Sequence, residues 1–78
     1  QTLTGVFFFP NPVKDKIIVQ GVESVSTLAI YDINGKQIHT QSLKPDDISV
    51  SVQSLAKGMY MLRIINQKGV YISKFMKE

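Results

Sequence analysis

Residues 48–65 read Ile48-Ser49-Val50-Ser51-Val52-Gln53-Ser54-Leu55-Ala56-Lys57-Gly58-Met59-Tyr60-Met61-Leu62-Arg63-Ile64-Ile65, and they decide the fold. Ile48, Val50 and Val52 alternate with Ser49, Ser51 and Gln53, a period of two that puts apolar side chains on one face of a strand and polar ones on the other. After a break, Tyr60, Leu62 and Ile64 face one way and Met59, Met61, Arg63 and Ile65 the other. Between the two runs, Ser54-Leu55-Ala56-Lys57 has room for at most a single turn before Gly58 ends it. No segment of the chain sustains a helical stripe over three turns, so the expected class is all-β.

The same period extends outward in both directions. Ile17 and Val19 alternate with Ile18 and Gln20, Leu28 and Ile30 with Thr27, Ala29 and Tyr31, and Val6 to Phe9 can supply a short first strand. Turn signals separate the runs. Asn34-Gly35 is the preferred pair for a two-residue type I′ hairpin, in which both central residues need positive φ, so Tyr31 to Ile33 and Lys36 to Leu43 are expected to pair antiparallel. Lys44-Pro45-Asp46-Asp47, Lys57-Gly58 and Gln67-Lys68-Gly69 supply further turns. The count is about seven strands at the spacing of a small antiparallel β-sandwich.

Composition bounds what such a fold can be. The 78 residues are 44 % hydrophobic and 19 % charged, too apolar and too weakly charged for a disordered chain, and short enough for one domain. Without cysteine there is neither a disulfide framework nor a thiolate metal site, so the fold rests on packing. No apolar run approaches the roughly 20 residues of a membrane-spanning helix, and Val6-Phe7-Phe8-Phe9 is stopped by Pro10. The chain starts at Gln1 with no initiator Met or signal peptide, which suggests a fragment of a longer protein. Its net charge of +3 is uneven: residues 1–56 carry −1 and residues 57–78 carry +4. Such asymmetry can suit an acidic partner, but the favoured reading is that these charges are the solvated face and turns of two strands.

Chemistry-bearing constellations are absent from the pattern. His39 stands alone between Ile38 and Thr40, with no cysteine or carboxylate beside it to make a metal site or an acid–base pair. Asp32-Ile33-Asn34-Gly35 begins like a calcium loop, but Gly35 comes fourth where that loop needs Gly sixth, and Leu43 is twelfth where it needs Glu. Asp46 and Asp47 are turn residues. The serines have one remote histidine between them and no triad spacing, and no glycine-rich phosphate loop occurs. The chain is therefore read as no enzyme, with no cofactor, no metal and no small-molecule substrate. Nucleic acid is also set aside, because Tyr31, Tyr60, Tyr71 and Arg63 do not combine with a continuous basic groove. Phe7-Phe8-Phe9 cannot bury three consecutive rings on one face, so at least one ring is expected to be exposed or packed against something beyond this fragment, such as a preceding domain.

Near the start, Pro10 and Pro12 bracket Asn11, a segment that lacks two backbone donors and cannot be a central strand. Asn11 is expected to fix the bend through local backbone bonds. The ordered set of Phe9-Pro10-Asn11-Pro12-Val13-Lys14-Asp15, Tyr31-Asp32-Ile33-Asn34-Gly35-Lys36, Leu55-Ala56-Lys57-Gly58-Met59-Tyr60 and a closing Lys74-Phe75-Met76-Lys77 resembles the C-terminal sorting domain of proteins exported by the type IX (Por) secretion system of Bacteroidetes. The resemblance covers nearly the whole chain. Phe9 stands where the family's opening motif often has Tyr, and Glu78 follows the basic Lys77.

The resemblance implies an immunoglobulin-like sandwich that serves as an address label on a larger secreted protein. Its partners would be the outer-membrane type IX translocon and a sortase-like peptidase that removes the domain at the cell surface, cutting before the opening motif. The cargo would pass through the periplasm to the cell surface or the medium. Matching the family's motifs, Pro10, Asn11, Pro12 and Asp15 form the opening set, Asp32, Gly35 and Lys36 the middle set, Gly58 and Tyr60 the third, and Lys74 and Lys77 the tail. The last strand, Val70 to Lys77, is expected to dock by its open edge, with Lys74 and Lys77 setting register and deletion of Ser73 to Glu78 stranding the cargo in the periplasm. Edge strands of so small a sandwich could also pair between copies. The competing reading is an immunoglobulin-like or fibronectin-like accessory module of a secreted enzyme, binding carbohydrate or acting as a spacer.

Overall fold

In the computed structural model, which describes residues 1–78, the two-residue period is realised as seven strands and no helix. They are β1 (Phe7–Phe9), β2 (Lys16–Gln20), β3 (Ser26–Tyr31), β4 (Gln37–Leu43), β5 (Ser49–Ser51), β6 (Gly58–Asn66) and β7 (Gly69–Lys77). They form a three-stranded sheet in the order β1-β2-β5 and a four-stranded sheet in the order β4-β3-β6-β7, with every strand pairing antiparallel. The chain changes sheet at the β2–β3, β4–β5 and β5–β6 connections, as expected of a sandwich with Greek-key wiring.

The core lies between the sheets and is built by the alternating positions. Ile17 and Val19 from β2 and Val50 from β5 face Leu28, Ile30, Leu62, Ile64 and Phe75 from the other sheet, all buried. Val13, Leu43 and Val52, just outside or at the ends of strands, close the margins of the same cluster. Phe8 packs against this core, its ring 6.4 Å from that of Phe75 in an edge-on pair. Its neighbours Phe7 and Phe9 are 54 % and 45 % exposed, so two of the three consecutive rings face outward, as strand alternation demands.

The β3–β4 hairpin differs from the type I′ form. No residue other than glycine has positive φ, so Asn34 is in an ordinary conformation and only Gly35, at φ 84°, is left-handed. The Gly35 N–H donates to the Asp32 carbonyl at 3.0 Å and the Asp32 N–H to the Lys36 carbonyl at 2.9 Å. That is a type I turn closed by a glycine, the usual three-residue hairpin loop. The reason lies in Asp32, whose Oδ1 accepts the N–H groups of Asn34 at 2.9 Å and Lys36 at 3.0 Å. This side chain holds the loop in the form that an Asn-Gly pair alone does not select. A register shift between Ile30 and Tyr31 follows in the ladder, where Ile30 faces His39 but Tyr31 faces Gln37.

Candidate functional site

The opening segment ties down the last strand. The Asn11 Oδ1 accepts the Met76 N–H at 2.9 Å, across 65 positions of sequence, so its bond is long-range and not the local one expected. Beside it, the Val13 N–H donates to the Met76 carbonyl and the Glu78 N–H to the Val13 carbonyl, both at 2.8 Å. Both prolyl bonds, at Pro10 and Pro12, are cis. Asp15 is exposed, and its carbonyl accepts the Val52 N–H at 2.8 Å, linking the same segment to β5.

The third motif forms a corner. At the start of β6 the Tyr60 hydroxyl donates to the Ala56 carbonyl, four residues upstream, at 2.6 Å. Its ring stacks on Phe75 at 5.5 Å. A tyrosine at the start of this strand reaching back across the preceding loop is the tyrosine corner of immunoglobulin-like sandwiches. Leu55 packs against the core, and Gly58 supplies φ 147° where the loop enters β6. The spacing Leu-x-x-Gly-x-Tyr thus encodes an apolar anchor, a positive-φ entry to the strand and a bracing hydroxyl. The hydroxyl bond is a role the motif's sequence reading left out, and the position of Tyr60 just after a glycine turn was its available signal.

Register brings the motifs together. Tyr31, which leads into the Asp32–Lys36 loop, pairs with Met61, and Met61 pairs with Lys74. Gly58 pairs with Lys77 and Met59 with Met76, the residue that Asn11 holds. The opening, middle, third and tail sets therefore converge on one end of the sandwich although they span the chain. Lys14, Lys57 and Glu78 stand beside Lys77 there, three ammonium groups against one side-chain carboxylate.

The tail residues separate. Lys74 is exposed on the outer face, whereas Lys77 is only 8 % exposed and its ammonium donates to the Glu78 carbonyl oxygen at 2.9 Å. Three residues apart on a strand, the two point to opposite faces, so only Lys74 offers a free charge. Nor is the edge of β7 open along its length. The Leu3 N–H and the Gln1 carbonyl bond to Val70 at one end, and Asn11 and Val13 bond to Met76 at the other. Even-numbered residues point their backbone groups outward there, which leaves Ile72 and Lys74 as the open stretch. The outer edge of β4, by contrast, receives no backbone hydrogen bond from another segment.

On the outer face of the four-stranded sheet, Tyr31, Met59, Met61, Arg63, Ile72 and Lys74 line a depression of about 560 Å³, with the Asp32–Gly35 loop at its rim. The Arg63 guanidinium lies 5.4 Å from the centroid of the Tyr31 ring, and its Nε is buried with no hydrogen-bond partner. His39 is bonded through Nε2 to Gln41 Oε1 at 2.8 Å. No group of three or more His, Cys, Asp or Glu side chains is placed to hold a metal ion.

Comparison with known proteins gives one family. The model of the family described as "Secretion system C-terminal sorting domain" matches residues 7–78. The chain is also similar to Beta-agarase A of Zobellia galactanivorans, 32 % identical over 66 residues. That alignment covers 82 % of this chain and 12 % of the agarase, so the chain spans about an eighth of the length of that relative.

Proposed function

The chain belongs to the family of secretion system C-terminal sorting domains, and from that premise we propose that the export machinery reads it as a folded shape, through the loops gathered at its motif end. Domains of this family are the sorting signals of type IX secretion, and they direct the proteins that carry them to the cell surface or the medium. The sorting domain is not itself catalytic. Its function is to interact with the secretion machinery.

The observation that carries the folded-shape reading is the convergence of four motifs, separated along the chain, on one end of the sandwich. Asn11, Asp32, Gly35, Gly58 and Tyr60 all spend their distinctive chemistry on backbone geometry there. A translocon that must accept many cargos is served by a rigid surface common to all of them. On this reading the motif residues Pro10, Asn11, Pro12, Asp15, Asp32, Gly35, Gly58, Tyr60 and Lys77 build the recognised end, while Lys36 and Lys74 present exposed charge. Removal by a sortase-like peptidase then follows, with the cut before the opening motif. The activity of the parent protein resides outside this domain, as the small share of the agarase that the domain matches suggests. Where copies associate, the uncovered edge of β4 is the pairing element.

A localisation assay tests the reading. Residues 1–78 are fused behind a signal peptide and a fluorescent reporter in a Bacteroidetes host with and without a working type IX system. Signal at the surface or in the medium that vanishes in the deficient strain is the expected result. Periplasmic retention in both strains overturns it and favours an accessory module.

A further inference from the structure

The strands of the four-stranded sheet contain no Asp or Glu at all: β3, β4, β6 and β7 carry Arg63, Lys74 and Lys77 as their only fully charged residues. On the outer face this excess is set among apolar side chains that a lone domain leaves in water. Ile72 is 55 % exposed, and Met59, Met61, Ile65 and Met76 are each exposed on the same side. Contiguous apolar surface of this kind marks a contact site. Methionine supplies three of the five, and its flexible thioether adapts to the shape of an incoming side chain.

Charge and geometry narrow the occupant. Met61 pairs with Lys74 and Arg63 with Ile72, so Arg63 and Lys74 are diagonal neighbours with an apolar residue beside each. Arg63 is held against Tyr31, and its Nε has no acceptor within the chain. The one carboxylate lining the depression, Asp32, is committed through Oδ1 to the amides of its own turn. The buried Nε is out of reach of a partner, but the terminal N–H groups of the guanidinium take no acceptor within the chain; beside a free ammonium they fit a carboxylate, which can accept two parallel bonds from them. An anionic polymer would match the charges but leave the methionines and Ile72 in water. The uncovered backbone of Ile72 and Lys74 lies on the adjoining edge and can receive a short extended segment.

We infer that this depression is a protein-docking site for an acidic, apolar segment of a partner, which seats an aliphatic or aromatic side chain against Met61 and Ile72 and a carboxylate between Arg63 and Lys74. The inference rests on the sorting function and names the surface and the chemistry through which one partner is engaged. It moves the contact from the β7 edge as a whole to the outer face of β6 and β7.

The test uses the exported reporter fusion. Ile72→Asp with Lys74→Glu places two carboxylates in the depression at exposed positions, and Lys68→Glu in the β6–β7 turn changes charge away from it. Thermal unfolding of each purified fusion checks that the domain is intact. The double variant is expected to reach the medium about tenfold less than the parent while Lys68→Glu is exported normally, the direction set by like-charge repulsion at the contact. In parallel, a photo-reactive benzoylphenylalanine replaces Ile72. The expected product is an adduct to an outer-membrane protein whose cross-linked peptide carries Asp or Glu close to the attachment point. Normal export of a folded double variant overturns the inference, as does an adduct only to a second copy, to the reporter or to lipid. If the parent fusion itself shows no type IX dependence, the sorting function fails, and the docking site is then judged by the adduct alone.

Discussion

At the scale of single residues, Asn11, Asp32, Gly35 and Tyr60 each act on backbone geometry. Asn11 works as an acceptor for the Met76 N–H, so only its carbonyl oxygen matters there. Asn11→Asp keeps an acceptor and is expected to fold with stability close to the parent. Asn11→Ala removes it and is expected to cost about 1 kcal/mol, read from urea unfolding, with faster hydrogen exchange at Met76. Tyr60→Phe isolates the corner: it keeps the stack on Phe75 and loses the bond to the Ala56 carbonyl, for an expected loss of about 0.5–1.5 kcal/mol. At Gly35 a Cβ would meet nothing within 4 Å, so the cost of Gly35→Ala is conformational alone. Holding an L-residue in the left-handed region costs about 1–2 kcal/mol, and the same unfolding measurement reads it.

At the scale of elements, β7 is a structural strand before it is anything else. It supplies Phe75, 1 % exposed and stacked on Tyr60, and its end is clamped by Asn11 and Val13. Deleting Ser73 to Glu78 therefore removes a core ring and the partner of the opening segment together. That truncation is expected to abolish cooperative unfolding, seen as loss of the thermal transition, so the resulting loss of export reports on folding and not on docking. Phe75→Ala should by itself cost about 3–5 kcal/mol, most of the margin of so small a domain. Ile72→Ser, on the same strand but facing outward, should change stability by less than about 0.5 kcal/mol. A strand that is core on one face and open on the other must be tested face by face.

At the scale of the molecule, the two sheets share one core, and protection should follow it. Amides of β3 and β6, central in the four-stranded sheet, are expected to exchange slowest. Outward-pointing amides of the edge strands β1, β4 and β5 and those of Ile72 and Lys74 should exchange fastest among strand residues, because no segment covers them. Comparable protection along the whole of β7 would contradict the description of its edge as clamped at both ends and open in the middle.

The sequence by itself determined the all-β class, the approximate strand positions and the inward set of Val50, Val52, Leu62 and Ile64, because a two-residue period and short punctuated runs are local properties. The order of the motifs was likewise legible and identified the family. Tertiary structure alone decided how the motifs act. Asn11 bonds 65 residues away, Lys77 turns its side chain inward while Lys74 stays free, and the edge of β7 is covered from two distant segments. Even the hairpin at Asn34-Gly35 took its type from a side chain outside the pair, the Asp32 carboxylate. Which strand lies beside which, and which polar group finds its partner across the sandwich, depends on contacts between segments far apart in sequence, and no local pattern carries that information.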